Sequence, residues 1–290
     1  MTPRDRAGDG TPVSMIERMT LLLGAFDGTT PELSLQQLVE RTGLPRSTAH
    51  RILDALVRLR WLEHVEGGYR LGMRALELGG LAVAHNELRE ATAPLLYDLH
   101  ARTGATVHLA VLDARDVVWL DRLASRSTSG ITARTGGRTP AHCTAAGKAI
   151  LAWTDPRQVD ATFRGRLVSR TPRTLTDMEL LASELAAVRA RGLAYEREES
   201  APGVVAVAAP LRGSGRAVAS VCVSGDVRHT DLNRLAPLVQ STAQRLSAAL
   251  FPTDPYARRR PGRPDGPEPA AWPPGALEKL LEGIGGNYWL

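Results

Sequence analysis

The stretch from Ser34 to Leu71 constrains this chain more than any other. Ser34 stands three residues before Gln37, the spacing of a capping box, and Leu35, Leu38 and Val39 are the apolar positions of a short helix. Thr42-Gly43-Leu44 closes that helix in a tight turn. Pro45 suits the first turn of the next helix, where its missing N–H costs nothing, and that helix runs to about Arg60. Two strand-like runs then flank Glu66-Gly67-Gly68, where glycines supply the positive φ of a hairpin. Upstream, Ser14 and Glu17 form a second box for a helix to about Phe26, with Ile16, Met19, Leu22 and Leu23 at helical spacing, broken by Asp27-Gly28-Thr29-Thr30-Pro31. Three helices followed by a hairpin is the order of a winged helix-turn-helix.

Projecting residues 45–60 at the helical period puts Ala49, Ile52, Leu53 and Leu56 on one side and Ser47, His50, Arg51, Asp54 and Arg58 on the other. Arg46 sits at the start and Thr48 on the flank. A recognition helix needs short polar and basic residues in its outward first turns, to reach base edges and hold phosphates. Arg51 has the fork for guanine, while His50 or Ser47 suits a base edge. Any surface helix is polar outside; the capped helix, glycine turn, proline start and wing together mark this one as a recognition helix. The DNA-facing set is Ser34, Arg46, Ser47, Thr48, His50, Arg51, Arg58 and Tyr69.

Residues 1–12 read as a disordered polar lead and 13–73 as the winged helix. An Ala/Leu-rich linker helix follows from Arg74 to about Arg89, within a linker of residues 74–91. Residues 92–251 read as a separate α+β domain around one mostly antiparallel sheet. There Pro94 opens a helix to Gly104. Thr106–Leu112 and Val117–Leu123 are strands around a turn, and Ile131–Arg134 is a short strand. His142 to Lys148 leads into a helix ending near Trp153. Thr176 and Glu179 start a helix to Arg191, closed by Gly192. Leu193–Glu198, Gly203–Leu211 and Ala217–Gly225 are strands, and Asp231 to Phe251 is a last amphipathic helix. Residues 252–290 read as a disordered Pro-rich tail with a weak helical patch, Ala276–Glu282; its arginines 258–260 either add salt-sensitive DNA affinity or are inert.

Composition bounds these readings. With 43% hydrophobic residues in 290 the chain builds real cores, and with 4% aromatics those cores are mostly Leu, Val and Ala. Two cysteines exclude a disulfide scaffold and a four-cysteine zinc site. No run of about 18 apolar residues occurs, and the first residues carry no apolar stretch, so a soluble, cytoplasmic chain without a membrane partner is expected. A net charge of +5 permits nucleic-acid binding without demonstrating it. The second domain has no Gly-x-Ser-x-Gly elbow, no paired metal-binding histidines on one helix and no phosphate loop. Ala145-Ala146-Gly147-Lys148 is too short for a Walker loop. Its small residues either let backbone N–H groups approach a carboxylate effector or pack under the sheet.

Gly43-Leu44-Pro45-Arg46-Ser47-Thr48-Ala49-His50-Arg51-Ile52-Leu53, Gly68-Tyr69-Arg70-Leu71-Gly72, His142 through Ala152, Gly203 through Pro210 and Ser220 through Gly225 occur in the order seen in IclR-type transcriptional regulators, which the chain resembles over residues 13–251. The resemblance implies a GAF-like effector domain whose pocket candidates here are Ala145, Ala146, Glu196, Val204, Ala206, Cys222 and Ser224. Ala206 stands where the family often has cysteine and Glu196 where aspartate is common, so a pocket of altered shape is implied.

Cys143, Cys222, His142 and Glu196 fix no metal-ligand set by spacing, and no metal or cofactor is expected. Lys148 is read as covering the helix surface, with a carboxylate contact as the alternative. The expectation is a ligand-responsive transcription factor, a repressor before an activator, binding double-stranded operator DNA as a homodimer or dimer of dimers joined through the linker helix. One rival is an enzyme or redox sensor using Cys143 or Cys222, which needs a depressed thiol pKa. Another is an architectural binder without an effector.

Overall fold

The computed structural model describes residues 14–26, 30–125, 133–165, 167–213 and 215–251, which divide into two compact units at Asn86/Glu87. The expected lead, the tail and the first half of the short strand at 131–134 lie outside the described residues; Ala133 and Arg134 are not in a strand.

In the first unit α1 (Met15–Gly24) and α2 (Leu35–Thr42) each begin with a complete capping box, Ser14 with Glu17 and Ser34 with Gln37. Gly43 ends α2 at φ +70, a left-handed conformation that glycine adopts without steric cost. Pro45 is the cap residue of α3 (Arg46–Arg58) rather than a member of its first turn. The hairpin β1 (Leu62–Val65) and β2 (Gly68–Leu71) is antiparallel from Leu62↔Leu71 to Val65↔Gly68, so Gly68 pairs in the strand instead of lying in the turn. Its φ is +138 and a Cβ there would run into the carbonyl of Leu33. That approach lets Leu33 and Tyr69 exchange two backbone hydrogen bonds of 2.9 Å, tying the wing to the chain ahead of α2. Leu22, Leu38, Leu53, Leu56 and Leu62 fill the core beneath.

The expected single linker helix is instead broken. α4 (Met73–Ala84) stops at His85 and α5 (Glu87–Thr103) starts two residues later, running straight through Pro94. A proline inside a helix removes the hydrogen bond to the carbonyl four residues back. Here Leu88 and Ala91 before it and Leu95, Leu96 and Leu99 after it are all buried along one stripe, and that burial holds the helix continuous.

The second unit is built on a six-stranded, wholly antiparallel sheet in the order β5-β4-β3-β8-β7-β6. Its strands are β3 (Thr106–Asp113), β4 (Asp116–Leu123), β5 (Arg138–Pro140), β6 (Ala194–Arg197), β7 (Val204–Gly213) and β8 (Arg216–Asp226). Alternation along β7 and β8 separates two cores. Val205, Val207, Leu211, Val221 and Val223 face α5 and α9 (Leu232–Leu250). Ala206, Ala208 and Cys222 face α6 (Ala145–Leu151) and α8 (Met178–Arg191). The second face is lined with small residues, and the short helix α6 packs directly on it.

α8 is capped by the Asp177 side chain, not by Thr176, and closes at Gly192 as expected. α7 (Pro156–Phe163) was not anticipated, although Asp155-Pro156 carries both signals: an Asp cap, and a proline in the first turn. Among the described residues no helix is long and apolar enough to cross a membrane.

Candidate functional site

The outward face of α3 is as the helical projection places it. Arg46, Ser47, His50, Arg51 and Arg58 are exposed and Thr48 is half-buried, above buried Ala49, Ile52, Leu53 and Leu56. Nearby arginines are engaged: Arg70 with Glu63 at 2.7 Å, and Arg74 with Glu77 at 3.2 Å. Arg46, Arg51 and Arg58 make no hydrogen bond or ion pair with any described residue. α3 also has no side-chain cap, unlike α1 and α2. Its first-turn N–H groups and unpaired guanidinium groups thus present an open, positive surface. His50 Nδ1 lies 3.2 Å from Asp54 Oδ2 one turn on, which fixes the imidazole on the face.

Two members of the expected set are engaged within the unit itself. The Ser34 hydroxyl accepts from Gln37 N at 3.2 Å and is engaged in its cap. Tyr69 is only 4% exposed and belongs to the core, edge-on to His64 at 5.1 Å between ring centres. The backbone bridge to Leu33 turns its side chain inward. Burial, helped by the Asp54 carboxylate, pushes its hydroxyl above the ordinary value of 10.0. On the wing it is Arg70 and His64 that are exposed.

In the second unit the seven pocket candidates lie together on the α6 face of the sheet, all buried. Register explains the convergence: Ala206 sits between Glu196 on β6 and Ser224 on β8, and Cys222 sits between Ala208 and His108. The first turn of α6 is already satisfied from within the chain. Ala145 N donates to Glu196 Oε2 at 3.3 Å, and Gly147 N donates to Thr144 Oγ1 at 3.0 Å. Glu196 Oε1 accepts from Ser200 N at 3.1 Å and from the Ser200 hydroxyl. Despite these donors, burial pushes the Glu196 carboxyl up to about 7.

Three participants were not read from the sequence as members of this face. His108 is buried beside Trp119, 4.9 Å between ring centres, with Nε2 2.8 Å from Ser224 Oγ; burial lowers its pKa to about 3. The signal available was a histidine alternating inward along an apolar strand. Arg122 is its cross-strand neighbour. Ser200 follows the strand that carries Glu196. Lys148 is corrected: its side chain is 2% exposed and its Nζ holds both oxygens of Glu199 at 2.8 Å. Glu184 lies 3.7 Å away and in turn holds Arg191.

Neither cysteine has the environment of a nucleophile. Burial and the Glu196 carboxylate raise the Cys143 thiol to about 12 and push Cys222 further up. Among the described residues no three metal-ligating side chains converge.

Residues 15–66 match the IclR helix-turn-helix domain, and residues 80–248 match the C-terminal domain of the bacterial transcriptional regulator IclR. The chain belongs to the IclR family. Similar proteins include the transcriptional regulator XynR of Escherichia coli, 32% identical over 82% of this chain and 97% of that protein. The transcriptional repressor IclR of Escherichia coli is 30% identical over 76% of this chain and 82% of that protein. Among solved structures, an IclR homolog from Microbacterium hydrocarbonoxydans complexed with 4-hydroxybenzoate has a TM-score of 0.69 at 27% identity, covering 81% of this chain and 98% of that one. These relatives are transcriptional regulators, not enzymes. The IclR fold, a helix-turn-helix followed by an α+β domain on an antiparallel sheet, is the one found here.

Proposed function

We propose that this IclR-family regulator is a repressor that places α3 in the major groove of a near-palindromic operator. A small carboxylate metabolite bound on the α6 face of the second unit controls it. The observation that carries the DNA reading is the set of exposed, unpartnered Arg46, Arg51 and Arg58 around the uncapped start of α3. Arg51 reads a base edge, His50 and Ser47 lie beside it, and Arg46 and Arg58 hold phosphates. Ser34 and Thr48 line the approach.

The chain acts as a homodimer or dimer of dimers. α4 supports this, because it buries none of its residues while Met73, Leu76, Leu78 and Leu81 stand exposed along it. The names of the relatives support the rest: one is a repressor, and one solved homolog holds an aromatic carboxylate. Effector binding shifts DNA affinity only by its differential affinity for the two arrangements of the heads.

Fluorescence anisotropy with DNA flanking its own gene, against scrambled DNA at about physiological salt, tests the reading. The expected result is a clear preference for the flanking fragment that small carboxylates reduce. Equal, salt-sensitive binding to both fragments would reject sequence-specific recognition at that locus.

A further inference from the structure

On the α6 face the Glu196 carboxyl is paired within the chain and Trp119 on β4 donates to Thr139, whereas other buried polar groups of the face, Ser220 Oγ on β8 among them, have no partner among the described residues. The Nδ1 of His108 is buried without a hydrogen-bond partner, and so is the Nε of Arg122. The two residues are register partners on adjacent antiparallel strands, so their side chains leave the same face side by side. The acidic residue next in sequence does not serve Arg122. Strand alternation puts the adjacent Asp121 on the opposite face, where it holds Arg89 at 3.1 Å. Arg122 makes no side-chain hydrogen bond or ion pair with any described residue. A buried guanidinium nitrogen and a buried imidazole nitrogen, adjacent and both unpaired, carry a desolvation cost that an acceptor between them removes.

We infer that Arg122 and His108 form the anion-binding end of the effector site, together holding one carboxylate of the ligand. The inference rests on the reading that this face binds the effector. Arg122 supplies the charge and the fork. His108 supplies an Nδ1–H in the tautomer whose Nε2 accepts from the Ser224 hydroxyl, 2.8 Å away. Ser224 thereby joins this pair to the rest of the face, with Glu196 across the sheet to meet the ligand's other end. Burial keeps His108 uncharged above a pH of about 3, so the site carries one positive charge and is matched to a single carboxylate.

The test is isothermal titration of the full chain with a panel of small carboxylates from pyruvate to 4-hydroxybenzoate, each paired with its uncharged carboxamide. The native protein is expected to bind at least one carboxylate ten-fold or more tighter than its amide. Arg122→Gln should bring that ratio close to one, Arg122→Lys should leave it intermediate, and His108→Phe should reduce it several-fold. Thermal melting checks that each variant folds. Carboxylate binding with the same preference in Arg122→Gln overturns the inference and leaves the effector reading standing. Failure of the native protein to bind any carboxylate in the panel overturns both.

Discussion

The exposed face of α3 and the α6 face of the sheet place ionisable side chains in opposite settings. On α3, arginines stand exposed without partners, and their attraction is left available for phosphate and base. Between α6 and the sheet, Lys148, Glu196 and His108 are buried. There each contact is paid in desolvation and returned only by a partner. The same charge is thus inexpensive on one surface and costly on the other, and perturbing it changes binding in the first and folding in the second.

The largest effect is expected where a buried charge loses its counter-ion. Glu199→Ala removes both 2.8 Å contacts to Lys148 and leaves only Glu184, 3.7 Å away. It should lower unfolding free energy by about 3–5 kcal/mol in urea titrations, while Lys148→Met costs much less because no charge is stranded. Equal losses from the two would place the stabilisation in packing and not in the ion pair.

Glu196 sharpens the same point through pH. Its folded-state pKa is raised from 4.5 to about 7, so the folded chain binds the proton more tightly than the unfolded chain. The stability linked to that proton is fully present below pH 4.5 and fades as pH rises through 7, by on the order of 3 kcal/mol. Glu196→Gln copies the protonated form. Relative to native, it should gain stability as pH rises from about 4.5 to about 7 and stay level above that. The depressed pKa values of His108 and His142 are common to both proteins and cancel in the difference. Parallel stability curves across that range would refute the buried-acid account.

This contrast also explains what the sequence could reveal. The α3 face was legible because Arg46 through Arg58 obey one local period, and two capping boxes and Gly43 mark the boundaries around it. The strands that carry Glu196, Ala206, Cys222 and Ser224 were legible as strands. Glu196, Ala206, Cys222 and Ser224 converge through the consecutive pairings β6–β7 and β7–β8, but the seating of α6 over them joins residues distant in sequence, and only the family resemblance supplied it. His108 and Arg122 had no local pattern to separate them from a core histidine and a solvated arginine. Lys148 was misplaced because nothing nearby in sequence announces Glu199. Tyr69 was misplaced because its inward turn is set by Leu33, on a different element.

On the exposed surface the expected effects are smaller and appear as binding. Arg51→Ala should weaken specific operator affinity by about 1–3 kcal/mol and relax discrimination at one base position, with melting temperature nearly unchanged. Arg58→Ala should weaken operator and random DNA alike and reduce the salt slope by about one. A loss of discrimination from Arg58→Ala together with none from Arg51→Ala would exchange the two roles.

Ser34 lies on the boundary of the comparison, since its hydroxyl caps α2 and it also belongs to the expected DNA-facing set. Ser34→Ala removes the cap and should cost about 1 kcal/mol of stability, whatever the residue does for DNA. Ser34→Asp separates the roles. Aspartate caps a helix as well as serine does, so melting should move little, and its charge favours the start of α2. If the Ser34 side faces the phosphate backbone, that same charge repels DNA, and anisotropy should report weaker binding to operator and scrambled fragments alike. Native affinity in Ser34→Asp would confine Ser34 to its cap and leave the DNA surface to α3 and the exposed side of the wing.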